Sequence, residues 1–359
     1  MKLEDKLFII ALIAILLGGL LVPIVRPRNY NYLENRSANQ IPKLSIESLL
    51  DKTYQDNFEL ALADQIPLAG TMKLANKTIS VLSRIYYPFY DDKDKISMGS
   101  NLYLKDDYLI YNTDNIDEFK NVLDNRIVNY NEKIQENPNV EFYLYYIEKD
   151  NDINFENNKK IGVYEYLISG LTENIKTAKF EINNISEFKE YYFKTDHHWN
   201  YKGSYKGYQQ IVELLGLNNA MSPSKEACLK FNWSGSKARN IGGQLILKEP
   251  FCAYRYDFPE HEVYMNDEVL NEYGQYLEYF DNKLSEMNLY GNFYGMDTSL
   301  VEIDYHQEEK ENLLIIGDSF DNAITELLAS HFNKTYNIDL RYYEDEMGEK
   351  FNLNEFIND

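Results

Sequence analysis

The chain has 359 residues, 44% of them hydrophobic, which is enough for one large domain or two ordinary ones with a sizeable buried core. Its formal net charge of −22 repels nucleic-acid phosphates and excludes nucleic-acid binding as a primary role, while serving solubility. The 32 Tyr fit either sugar-stacking surfaces or a coding bias, and the two Cys, Cys228 and Cys252, lack a Cys-x-x-Cys spacing. They suit one disulfide in an oxidising compartment rather than a metal or redox centre.

Residues 1–6 form a short tail, and 7–25, "LFIIALIAILLGGLLVPIV", carry no charge. At 1.5 Å per residue this run spans roughly 28 Å, close to a bilayer's hydrocarbon thickness. No small-x-small cleavage signal follows, which favours an uncleaved signal anchor over a cleaved signal peptide. Lys2 and Lys6 before the run and Arg26 and Arg28 after it leave orientation weakly marked, but a six-residue tail is most easily kept in the cytoplasm. The expectation is a single-pass cell-membrane protein with residues 43–359 as one extracytoplasmic domain.

Residues 26–42 read as an extended linker. Ser45 then caps a helical pattern that Pro67 stops, and a second helix fits Thr71 to Ile85. Asn101–Asn112 alternates around Lys105-Asp106-Asp107 as a hairpin, a helix fits Ile116 to Glu136, and Val140–Lys149 reads as a buried strand. Residues 150–160 are polar and Asn-rich, as loops are. This alternation predicts an α/β domain.

The stretch "KTDHHWNYKG", Lys194 to Gly203, spends two of the chain's five His beside an Asp. Asn200 looks like the cap of a helix that Gly216 ends. Asp196 spaced one residue from His198 lets a carboxylate orient an imidazole; His197 is either a substrate contact or a solvent-exposed neighbour. Zinc ligation by Asp196, His197 and His198 is disfavoured, because adjacent His seldom converge on one ion and no second cluster completes the set. No cofactor is expected. His261 and His306 read as surface groups, and His331 as a helix-end residue.

Near the C-terminus, Leu313–Ile316 is a short apolar run suited to a buried parallel strand, and Gly317-Asp318-Ser319 turns into a helical pattern from Phe320 to Phe332. A second strand follows at Tyr336–Leu340. Ser319 would then sit beyond a strand's carboxyl end at a helix N-terminus, where N–H groups stabilise an oxyanion; alternatively it is only an N-cap. A Ser needs a base, and the base an orienting group, so Ser319, His198 and Asp196 form a candidate triad.

Asp196-His197-His198-Trp199 together with the later Gly-Asp-Ser resembles the DHHW protein family, related to alginate O-acetyltransferase proteins of the AlgX and AlgJ type within the SGNH hydrolases. The resemblance runs from "LENRSANQIP" through "GDSFDNAI" to "DLRYY". It implies an SGNH hydrolase-like, flavodoxin-like three-layer fold, circularly permuted because the Asp-His pair precedes the Ser. It further implies Ser319 as nucleophile, His198 as base and Asp196 as orienting carboxylate, in a membrane-anchored O-acetyltransferase acting on a cell-surface polysaccharide. A membrane-bound O-acyltransferase would supply the acetyl groups. The alternatives are a carbohydrate acetylesterase and a non-catalytic glycan-binding or scaffold module. The oxyanion site is incompletely matched: the Ser319 N–H is its safest donor, with Gly317, Asp318, His197 and, from "WSGSKARN", Ser234 and Gly235 as weaker candidates.

Overall fold

The computed structural model describes residues 6, 8–10, 13, 25–31, 36–65, 69–86, 95–266, 268–269, 289–295 and 298–358. The expected membrane span falls mostly outside these residues; among the described ones no helix is long and apolar enough to cross a membrane. The chain divides into two compact units, residues 1–100 with 238–247, and residues 101–237 with 248–359.

In the first unit, Ser45 caps α1 (Ile46–Leu50) through a capping box with Ser48. Lys52 at φ 68° breaks the helical pattern, so α2 (Thr53–Gln65) starts anew, followed by α3 (Ala69–Tyr86). The stretch expected as a linker is fastened here. Asp64 accepts from the Asn31 side chain and the Asn39 backbone, and Gln65 exchanges hydrogen bonds with the backbone of Arg28. Buried Thr78 on α3 donates to the Gly242 carbonyl, tying in the 238–247 segment.

The second unit is mixed α/β with several sheets. Its first hairpin, β1 (Leu102–Lys105) and β2 (Tyr108–Tyr111), turns through Asp106 and Asp107, both at positive φ, as a two-residue hairpin loop requires. A short 3-10 turn precedes α4 (Lys120–Glu136). β3 (Phe142–Ile147) pairs in parallel with β4 (Ile175–Phe180), and the crossover between them contains α5 (Val163–Gly170). Next come α6 (Ile185–Tyr191) and α7 (Tyr201–Leu214), which Asn200 caps and Gly216, at φ 68°, follows. β5 (Lys225–Trp233) and β6 (Glu249–Arg255) pair antiparallel, with Cys228 directly opposite Cys252 and disulfide-bonded to it.

Within 150–160, expected as a loop, residues 153–154 and 159–160 pair antiparallel, and the largest sheet among the described residues has five strands: β7 (Glu262–Met265), β8 (Glu268–Val269), β9 (Leu300–Asp304), β10 (Leu313–Ile316) and β11 (Lys334–Ile338), in the order β8-β7-β9-β11-β10. Only β10 and β11 run parallel within it, Leu313 facing Thr335 and Ile316 facing Ile338. Between them the helical pattern from Phe320 is realised differently from the expectation. A 3-10 turn over Asp321–Ala323 precedes a five-residue helix, Thr325–Ala329, so no α-helix begins at Ser319. The periodicity still reads the packing, because Phe320, Ala323, Ile324, Leu327 and Leu328 are all buried.

Trp199 anchors the core of this unit. It is fully buried, edge-on to Phe180 and Phe320. α7 can lie on it only because Gly207 lacks a side chain: a Cβ there would come within 2.5 Å of the indole.

Candidate active site

The Asp196–His198 stretch is the tip of a closed loop. Tyr192 and Trp199 form an antiparallel bridge, the Phe193 N–H donates to the His198 carbonyl, and the Asn200 N–H donates to the Tyr191 carbonyl. Asn200 also donates its side-chain amide to the Glu190 and Tyr192 carbonyls while accepting from the first N–H groups of α7. The indole below and the cap behind therefore hold both ends of the loop.

Two further supports grip the loop's leading edge. Buried Glu249, the first residue of β6, accepts from the N–H groups of Lys194 and Thr195 and from the Thr195 hydroxyl, at 2.7, 2.6 and 2.5 Å. Burial pushes its carboxyl up to about 7 against these hydrogen bonds. The segment after β5 closes over the opposite side. Gly235 donates its N–H to the Thr195 hydroxyl and Ser236 donates its N–H to Asp196 Oδ2 at 2.6 Å. A Cβ on Gly235 would lie 2.4 Å from that of Asp196, so only glycine permits this approach.

Asp196 Oδ1 accepts from the His198 backbone N–H at 3.1 Å and from Nδ1 at 2.6 Å. Burial alone would raise the Asp196 carboxyl, but the two imidazoles and the hydrogen bonds from His198 and Ser236 outweigh it and hold the group well below its usual range. A carboxylate on Nδ1 fixes the tautomer with the proton on that nitrogen, leaving the Nε2 lone pair to accept. Nε2 lies 2.8 Å from Ser319 Oγ.

Ser319 arrives at the end of β10. The Gly317 N–H donates to the Ile338 carbonyl, and Asp318 turns the chain by accepting the Phe320 N–H at 3.0 Å. Burial raises the Asp318 carboxyl, but Lys149, 3.6 Å away and 4.6 Å above the Phe320 ring, brings it below its ordinary value. A second lysine, Lys237, is fully buried against Asp150 at 2.5 Å, with its ammonium facing the Tyr111 and Phe188 rings. This pair joins the segment that clamps Asp196 to the residue after Lys149.

Rings enclose the His198 imidazole. Tyr290, from α8 (Leu289–Tyr294), stacks on it with centroids 3.8 Å apart and planes 4° apart; Phe320 tilts against it at 4.9 Å. His197, at 3.8 Å, shares its Nδ1 with the Ser236 hydroxyl at 2.7 Å. Partial burial and the adjacent His198 lower the His197 pKa far enough to keep it neutral at pH 7.

Asp196, His197, His198 and Ser319 are thus brought together. Asp196, His197 and His198 can present ligand atoms within 4.8 Å of one another, but the Asp196–His198 contact and the His198–Ser319 contact already occupy both imidazole nitrogens of His198. Gly317 and Asp318 form the turn that carries Ser319. The hydrogen bonds of Gly235 serve Thr195, and buried Ser234 precedes it in the clamp, so both lie on the Asp196 side. His261 is not a surface group: it stacks on Tyr305 and lies 3.3 Å from Glu326, whereas His306 is exposed. His331 shares its Nε2 with the Tyr208 hydroxyl. Sequence reasoning missed Glu249, Lys237 and Tyr290. Isolated residues tens of positions from the loop gave no local signal for them.

The family model described as "DHHW protein" matches residues 97–338. Two structures of Bacillus cereus PatB1 are each 22% identical to this chain with a TM-score of 0.54 and cover 72% of it. The one with a sulfonyl adduct is itself covered to 89% and the other to 92%. A DHHW family protein from Eubacterium siraeum DSM 15702 is 17% identical with a TM-score of 0.52, covering 75% of this chain and 88% of that one. At these identities the likeness is one of fold. No curated protein matches the chain.

Proposed function

The chain belongs to the DHHW protein family, and from that premise we propose that it is a serine O-acetyltransferase of SGNH hydrolase type, circularly permuted, working on a cell-surface polysaccharide. The observation that carries this reading is the unbroken line from the Asp196 carboxylate through His198 to the Ser319 hydroxyl, at 2.6 and 2.8 Å. His198 Nε2 takes the Ser319 proton as Oγ attacks the carbonyl carbon of an acetyl ester, and the Ser319 N–H faces the developing oxyanion. The imidazolium then protonates the departing alcohol, leaving an acetyl group on Oγ. A sugar hydroxyl enters, gives its proton to Nε2 and carries the acetyl away. One solved relative bears a sulfonyl adduct, and sulfonyl groups attach to activated nucleophiles, the role assigned here to Ser319.

The 19-residue uncharged run over 7–25 supports a signal anchor and an extracytoplasmic site, and the Cys228–Cys252 disulfide suits that compartment. A membrane-bound O-acyltransferase is the proposed acetyl source.

The test is acetyl release from 4-nitrophenyl acetate with mass spectrometry of the intact protein. Acetyl on Ser319 is expected in the parent, and Ser319→Ala and His198→Ala should each lower kcat by at least about 100-fold. Full turnover in Ser319→Ala would end the proposal.

A further inference from the structure

Asp321 has no part in the proton relay, yet it sits two residues beyond Ser319 with an oxygen in an unusual place. Its Oδ2 lies only 1.5 Å from where a Cβ of Gly317 would stand, with Cγ at 2.5 Å and Oδ1 at 2.9 Å. The carboxyl thus fills the space that the glycine leaves open. Oδ2 is buried and has no hydrogen-bond partner, while the Asp318 backbone N–H is bonded to the carboxyl and the Asp321 N–H returns to the Asp318 carbonyl at 2.9 Å. The side chain is therefore the inner brace of the Gly317-Asp318-Ser319 turn. An ionised carboxylate with an unpaired buried oxygen is costly, whereas the neutral acid is tolerated there.

We propose that Asp321 is a positioning residue held as the neutral acid, wedged against Gly317 to fix the turn that carries Ser319, and that its ionisation releases the turn and sets the alkaline limit of Ser319 reactivity. The groups facing it agree. Asp318 in the turn and Asp339 after β11 oppose a further negative charge, and Lys149 after β3 favours one less strongly. Tyr290 on α8 adds an un-ionised phenol, itself raised by burial. Burial first, then Asp318, push the Asp321 carboxyl up to about 8. A charge appearing there repels Asp318 and draws the side chain toward water, which takes away the support beneath Ser319.

The inference rests on the serine-nucleophile reading, and the experiment separates the two. The full chain, Asp321→Asn and Asp321→Ala are labelled with phenylmethanesulfonyl fluoride from pH 6.5 to 9.5, and the label on Ser319 is followed by mass spectrometry. The parent's labelling rate should fall about tenfold between pH 7 and 9, because one unit above its pKa an acid is about nine-tenths ionised. Asp321→Asn, which keeps the shape without the charge, should show no fall. Asp321→Ala should be slowed about tenfold at every pH through loss of the brace.

Melting temperatures supply a second arm. A folded-state pKa raised from 3.8 to about 8 makes the parent lose stability as pH climbs through that window. The gap by which Asp321→Asn exceeds the parent should therefore widen from pH 4 to 8 and level off above it. A parent rate that does not fall, an equal fall in Asp321→Asn, or a gap independent of pH would overturn the proposal. If Ser319 takes no label at any pH, the nucleophile reading fails, and the melting gap alone decides whether Asp321 is a neutral brace.

Discussion

His198 is constrained in direction by Asp196 and Ser319 and in plane by Tyr290, Phe320 and His197. Hydrogen bonds aim its nitrogens, but only stacking stops the ring from tilting about them. Tyr290→Leu should therefore lower kcat for 4-nitrophenyl acetate by about tenfold with KM little changed, while Tyr290→Phe, which keeps the stack, stays near the parent. Equal effects of the two would mean that the hydroxyl, not the ring plane, matters. The adjacent His also finds its use here. His197 is a neutral imidazole that links the His198 ring to the Ser236 hydroxyl, part of the clamp that holds Asp196. Asp196, His198 and Ser319 were legible from the sequence because each sits in a compact run of chemically distinctive residues. Glu249 and Lys237 were not, because a buried carboxylate or ammonium looks like any surface charge until its partners Thr195 and Asp150 arrive from elsewhere in the chain.

At the scale of elements, the loop between Phe193 and Asn200 is rigid because of what lies under it. Trp199 fills the space between α7, Phe180 and Phe320, and Gly207 sets how closely the helix approaches. Gly207→Val would push its side chain into the indole and should cost about 1–3 kcal/mol in chemical denaturation, with lowered activity as the loop shifts. Unchanged stability would show that α7 does not rest on Trp199. Helix ends at Ser45 and Asn200 and the hairpin at Asp106-Asp107 were readable, since capping and turn chemistry are local. The helix expected directly after Ser319 was not realised. Its periodicity reported burial, but Asp321 folds back on Gly317 and the backbone takes a 3-10 turn before Thr325.

For the whole molecule, the excess of 58 acidic over 36 basic residues acts on stability as self-repulsion. Raising sodium chloride from about 10 to 150 mM shortens the screening length from about 30 to 8 Å, so the melting temperature should rise by a few degrees. A fall would mean that attractive ion pairs such as Lys160–Glu148 and Lys334–Glu302 outweigh the repulsion. The division into two units was not legible, because the 238–247 segment that joins residues 1–100 is short and lies far from them in sequence, and its Gly242-Gly243 pair reads as an ordinary turn.

The β5–β6 pair behaves as a set of tweezers. One arm ends at Trp233 and leads into the Ser236 N–H that grips Asp196; the other begins at Glu249, which grips Thr195. Cys228 and Cys252 are the rivet joining the arms. On the proposed extracytoplasmic placement, oxidation of those thiols is a maturation step: with the rivet open the arms hold Asp196 and Thr195 more loosely, and its closing tightens that grip.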